Sequence, residues 1–91
     1  MTFAQWHIVV SDKARRSIEQ LDPVSQKRIT RFLFERLEPS TDPEKLGKAL
    51  SGKLAGKVRF RVGDYRIIAK IERNRLVILV VEVDHRSEVY R

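Results

Sequence analysis

Between Lys57 and Lys70 the cations fall on alternate positions: Lys57, Arg59 and Arg61, then, beyond Gly63-Asp64, Arg66 and Lys70. Alternation with period two puts such residues on one face of a strand pair. A guanidinium binds phosphate through two parallel hydrogen bonds and keeps its proton at physiological pH. The chemistry within reach is therefore recognition of a polyanion. On a phosphodiester it extends to stabilising the charge that builds on phosphorus under attack. A second group, His85, Arg86, Glu88 and Tyr90, follows the last apolar run. Histidine titrates near about 6.5 and tyrosine near about 10, so a site that moved either toward neutrality would gain a proton shuttle. Taken alone, His85 reads more readily as a surface or structural residue, and His7 is given no role.

Other chemistries are poorly supported. The chain has no cysteine, and its histidines stand only at positions 7 and 85, so neither a thiolate nor a tight zinc site is expected and no metal ligands are assigned. Gly47, Gly52, Gly56 and Gly63 fit neither the Walker nor the dinucleotide-binding pattern, no serine occupies a nucleophile elbow, and the carboxylates are scattered. No cofactor is expected.

The 91 residues, 42% apolar and 34% charged, read as one small globular domain spanning residues 1–91. The longest apolar run, Leu76 to Val81, is far short of a membrane span, and the first residues lack the basic and apolar regions of a secretory signal, so a cytoplasmic protein without membrane partners is expected. The formal net charge of +7 is unevenly spread: residues 1–43 carry seven cations and six anions, residues 44–75 ten and three, and residues 76–91 two and three. A middle third this basic points to a nucleic acid or an acidic protein as partner.

The elements that must position these groups follow from periodicity. Residues 4–10 alternate as a strand with Trp6, Ile8 and Val10 on one face. Ser11 or Asp12 then caps a helix carrying Ala14, Ile18 and Leu21 on one stripe, and Asp22-Pro23 starts a second helix whose stripe is Ile29, Phe32, Leu33 and Leu37. Residues 39–56 read mainly as loop, with one helical turn at Pro43–Leu46 ended by Gly47. Residues 57–62 and 65–71 form a hairpin around Gly63-Asp64, Arg73-Asn74 offers another turn, and Leu76–Val83 is a nearly continuous apolar strand. The order predicts an α+β fold: an N-terminal strand and a helical hairpin packed on a mainly antiparallel, four-stranded sheet.

A two-residue turn at Gly63-Asp64 fixes the hairpin register. Val62 faces Tyr65, Arg61 faces Arg66, Phe60 faces Ile67, Arg59 faces Ile68, Val58 faces Ala69 and Lys57 faces Lys70. One face then holds Val58, Phe60, Val62, Tyr65, Ile67 and Ala69; the other gathers Lys57, Arg59, Arg61, Arg66 and Lys70, with Ile68 alone among them. Slipping by one residue would bury the cations. Opposed like charges cost up to about 1 kcal/mol a pair, and stability alone would have favoured Glu or Thr at some of these positions. The cluster therefore reads as kept for an anionic partner; an acidic peptide would use the same charges as a nucleic acid.

Lys-Leu-Ala-Gly-Lys-Val-Arg-Phe-Arg-Val-Gly-Asp-Tyr-Arg-Ile-Ile (53–68) and Val-Asp-His-Arg-Ser-Glu-Val-Tyr-Arg (83–91), behind a strand and a helical hairpin, resemble the RelE/ParE toxin superfamily, and its RelE branch in particular. The resemblance spans essentially the whole chain. It implies a toxin of a type II toxin–antitoxin system that enters the ribosomal A site and cleaves mRNA without metal, is neutralised by a cognate antitoxin, and meets operator DNA only through the antitoxin complex. By the same resemblance Arg66 matches a phosphate-binding arginine, Lys57, Arg59 and Arg61 a basic strand, and Arg86 and Tyr90 the arginine and the stacking or acid/base tyrosine of the tail. His85 is the weaker match, and Lys57, Arg59 and Lys70 are expected to hold RNA phosphates. Asp84 departs from the commoner glycine at its position and adds a carboxylate able to pair with Arg66 or Arg86. Two alternatives stay open: a ParE-like inhibitor of DNA gyrase, and a non-catalytic module acting only with its antitoxin on operator DNA.

Overall fold

The structure, a computed structural model, describes residues 6–85; the tail residues Arg86 and Tyr90 lie outside the described residues. The elements run β1 (His7–Val10), α1 (Asp12–Glu19), α2 (Pro23–Arg31), β2 (Lys48–Ala49), β3 (Lys57–Val62), β4 (Tyr65–Glu72) and β5 (Val77–His85). The strands form one sheet in the order β1-β5-β4-β3-β2. β1 lies parallel to β5 and the other neighbours are antiparallel.

Both helices start where their caps require. The Ser11 hydroxyl accepts the Ala14 amide at 3.1 Å and donates to the Val81 carbonyl at 3.2 Å, so one side chain starts α1 and ties it to β5. Asp22 accepts the Ser25 amide at 3.1 Å, with Pro23 in the first turn of α2. α2 continues as a π-helix over Phe32–Leu37, closed by the Glu38 amide donating to the Leu33 carbonyl at 3.0 Å. The wider turn keeps Ile29, Leu33 and Leu37, each four residues apart, on one buried stripe. That stripe, with Ala14, packs on Val58, Phe60, Val62, Ile67, Ala69, Ile78, Val80 and Val83 to make a single core, and Trp6 closes its margin.

The β3–β4 register matches the expected pairing at every position from Lys57↔Lys70 to Val62↔Tyr65, and the helical turn at Pro43–Leu46 ends at Gly47 as expected. Three features differ. The sheet has a fifth strand, because Lys48 and Ala49 pair with Arg59 and Val58 inside the segment expected to be loop. The second turn spans Arg73–Leu76 rather than two residues, closed by the Arg75 amide on the Glu72 carbonyl and the Leu76 amide on the Arg73 carbonyl. Leu76 therefore precedes β5, in the left-handed region at φ 53°; its carbonyl accepts the His7 amide at 2.7 Å, which helps hold that conformation.

Gly47 joins the helical turn to the edge of β3 by close approach. A Cβ there would lie 2.5 Å from the Arg59 carbonyl oxygen and 2.6 Å from the Phe60 ring. Gly47→Ala must push β2 off β3 or displace the buried Phe60. We expect a loss of about 1–3 kcal/mol in urea unfolding, whereas Gly52→Ala, with nothing within 4 Å of its Cβ, loses less despite its positive φ.

Candidate nucleic-acid interface

The two faces of the sheet differ because one is covered by helices. On the other face, which no described helix covers, the register aligns Lys57, Arg59 and Arg61 of β3 with Lys70, Ile68 and Arg66 of β4, and β2 adds Lys48 opposite Arg59. Arg61, Lys70 and Lys48 are exposed, and Lys57 and Arg59 half-buried. The like-charged pairs Arg61–Arg66 and Lys57–Lys70 stand directly across from each other, as expected from the sequence.

Ion pairing separates the cations into two groups. Lys13 pairs with Glu82, Arg15 with Asp12 and Glu19, Lys45 with Asp42, Arg75 with Glu72, and Arg73 with Asp42 and Glu44. Arg73 also lies 5.7 Å from the centre of the Trp6 ring. Of these, Lys45, Arg73 and Arg75 belong to the basic middle third and are taken up by neighbouring carboxylates. Lys48, Lys57, Arg59, Arg61 and Lys70, in contrast, make no ion pair among the described residues. The β2–β3–β4 face therefore holds one group of cations left for a partner.

Arg66 lies on the same face yet is only 1% exposed, with all three guanidinium nitrogens shielded from solvent. A charge this buried needs a counter-charge close by. The β4–β5 register sets Asp84 directly opposite it, a spacing of roughly 5 Å between Cβ atoms. Next to Asp84 on this face stands Glu82, which receives the Lys13 ammonium at 2.6 Å. That hydrogen bond, against the opposing effect of burial, holds the Glu82 carboxyl below the usual range, and the same contact raises the Lys13 ammonium. The uncovered face thus grades from unpaired cations on β3 to carboxylates on β5.

A β-bulge at Val81 sets this gradient. Ile68 pairs with Glu82 but Ala69 with Val80, leaving Val81 unmatched. Before the bulge Ile78 and Val80 point into the core; after it Val83 does. The shift turns Glu82 and Asp84 onto the uncovered face and His85 onto the helix-covered one. His85 consequently stacks edge-on against Tyr65, ring centres 5.4 Å apart, beside a cavity of about 250 Å³ lined also by Ser17, Gln20 and Leu21. His85, expected as the weaker member of the site, thus lies on the opposite face of the sheet from Lys57, Arg59 and Arg61. The sequence carries a signal of this in Leu79-Val80-Val81 followed by Glu82-Val83-Asp84, where the apolar phase changes at Val81. Lys48 was missed because a two-residue strand has no period to detect.

Among the described residues no cluster of three or more His, Asp or Glu side chains could hold a metal ion, and no helix is long and apolar enough to cross a membrane.

Comparison with known proteins adds a family to this geometry. Residues 8–90 match the model of the ParE toxin of type II toxin–antitoxin systems, parDE. Toxin RelG of Mycobacterium tuberculosis is 35% identical over 78 residues, covering 86% of this chain and 87% of that protein. The toxin–antitoxin complex RelBE2 of Mycobacterium tuberculosis contains a chain that superposes with a TM-score of 0.82 at 29% identity, over 90% of this chain and 99% of that one. The isolated Escherichia coli RelE toxin shares the fold at a TM-score of 0.71 and 20% identity, over 93% and 90% of the two chains. With the helix-backed sheet and its unpaired cationic face, these matches show that the chain belongs to the RelE/ParE superfamily, as a toxin of a type II toxin–antitoxin system.

Proposed function

We propose that the chain is a ribosome-dependent, metal-independent mRNA endoribonuclease, held inactive by a cognate antitoxin. The observation that carries this reading is the row of unpaired cations, Lys57, Arg59, Arg61 and Lys70, kept on one sheet face although two cross-strand pairs there repel. In the proposed reaction the 2′-oxygen of one nucleotide bonds to the adjacent phosphorus while the P–O5′ bond breaks. The 2′-hydroxyl proton leaves to a base, and the departing 5′-oxygen takes up a proton, giving a 2′,3′-cyclic phosphate and a 5′-hydroxyl. DNA, which lacks the attacking hydroxyl, is spared.

Arg61, exposed beside the hairpin turn, is assigned the charge that accumulates on the phosphorane, and the buried Arg66 adds a fixed positive charge behind it. Lys57 or Arg59 shields or assists the 2′-oxygen, and Lys70 holds a flanking phosphate. Arg86 and Tyr90 keep the roles the resemblance implies, charge stabilisation and base stacking or proton donation. The ribosome supplies the positioning that a flat basic face lacks.

Primer extension on a defined mRNA in cell-free translation, with gyrase supercoiling followed in parallel, tests this. Wild type is expected to cut at A-site codons and Arg61→Ala to cut on the order of 100-fold more slowly. Intact mRNA with blocked supercoiling would reassign the chain to gyrase inhibition; intact mRNA with normal supercoiling would leave a binding module. Asp84 opposes anion binding from across Arg66, so Asp84→Asn is expected to bind a non-cleavable RNA several-fold more tightly at low salt, read by fluorescence anisotropy. The gain should shrink as salt rises.

A further inference from the structure

The basic face does not stop at the edge of the sheet. A cavity of about 250 Å³ at that edge is lined by Leu46, Gly47, Lys48, Arg59 and Arg61. It shares Leu46 and Arg61 with a larger one of about 490 Å³, whose other walls include Arg28, Arg31 and Arg36 from α2 and its π-helical extension, over an apolar floor of Phe32 and Val62. That cavity in turn shares Arg28 and Arg31 with a third of about 420 Å³, completed by Lys27 and Val24. Glu35 is the one carboxylate lining the three, and it is engaged with Arg31 at 3.5 Å. Lys27, Arg28 and Arg36 make no ion pair among the described residues. Arg28 also bridges the layers: a Cβ on Gly63 would meet its Nη1 at 2.7 Å, so its guanidinium rests against the hairpin turn that carries Arg61 and Arg66.

We propose that this continuous groove, from Lys48 and Arg59 round the β3 edge through Arg61 to Arg28 and Lys27 on α2 and Arg36 on its π-helical extension, is a track for the phosphate backbone of RNA running away from the cleavage point. The inference rests on the RNA-binding reading above and extends it to nucleotides outside the sheet face. Seven cations line the three cavities, against one carboxylate that is already paired. That imbalance favours a backbone of regularly spaced charges, whose phosphates the arginine forks can bind bidentately. Phe32 and Val62 give the floor an apolar surface against which sugar and base edges rest.

The test compares binding of 2′-O-methyl oligoribonucleotides of about four and about twelve nucleotides to the purified chain and to Arg28→Gln/Arg36→Gln. These probes cannot be cleaved, so the readout does not depend on catalysis. The wild type is expected to prefer the longer probe by on the order of tenfold at low salt; the double variant should lose that preference, with its salt slope falling by about 0.7 for each phosphate contact removed. Its affinity for the short probe should stay unchanged, which also reports that it is folded, and Arg28→Lys/Arg36→Lys should restore part of the preference. A length preference unaffected by the double variant, or polyglutamate of matched length competing as well as RNA, would overturn the track. Cleavage on ribosomes without any length preference sinks the track alone. A length preference without cleavage sinks the endoribonuclease reading and leaves the track standing.

Discussion

The rest of the molecule depends on one constraint: in the β3–β4 hairpin the apolar side chains and the cations alternate, with Ile68 the one exception, so only one register buries the first set without burying the second. Val58, Phe60, Val62, Ile67 and Ala69 must meet the helices, and once they do, Lys57, Arg59, Arg61, Arg66 and Lys70 are committed to the other face. The hydrophobic effect thereby assembles a charge cluster that electrostatics alone would scatter. Burial of a Phe or Ile contributes roughly 1.5–3 kcal/mol, while each opposed cation pair costs at most about 1 kcal/mol, so packing prevails and the repulsion is retained as an unmet demand for anions.

The bulge at Val81 adjusts the result. By changing the phase of β5 it brings Asp84 opposite Arg66 and sends His85 to Tyr65. Arg66 becomes an enclosed charge with a carboxylate across from it, while the unpaired cations of β3 stay accessible. Ser11 belongs to the same device, since its hydroxyl caps α1 and donates to the carbonyl of the bulged Val81. The start of the first helix and the phase of the last strand are thus held by one side chain.

Much of this was legible in the sequence where a local signal coincided with burial. The hairpin register, the caps at Ser11 and Asp22 and the helical turn before Gly47 follow from turn residues and alternation within a few positions of one another. The fifth strand, the π-helical stretch and the bulge depend on contacts between distant segments: β2 exists because Gly47 allows its backbone against Phe60, and the bulge is tied by a hydroxyl 70 residues away. Which cations remain unpaired was equally out of reach, because Arg73 finds Asp42 and Glu44 only after the chain has folded. Of the residues expected in the site, the β3 and β4 cations are gathered on one face and His85 lies on the other.

The central claim is that the charged face is maintained against stability for the sake of an anionic partner. Lys57→Glu tests it most directly, because it replaces one repulsive cross-strand pair with a Glu opposite Lys70. Urea unfolding and ribosome-dependent mRNA cleavage, measured on the same preparation, are expected to move in opposite directions: a gain of up to about 1 kcal/mol in stability and a fall of at least about tenfold in cleavage. A variant that is less stable, or that cleaves as fast as wild type, would contradict the account.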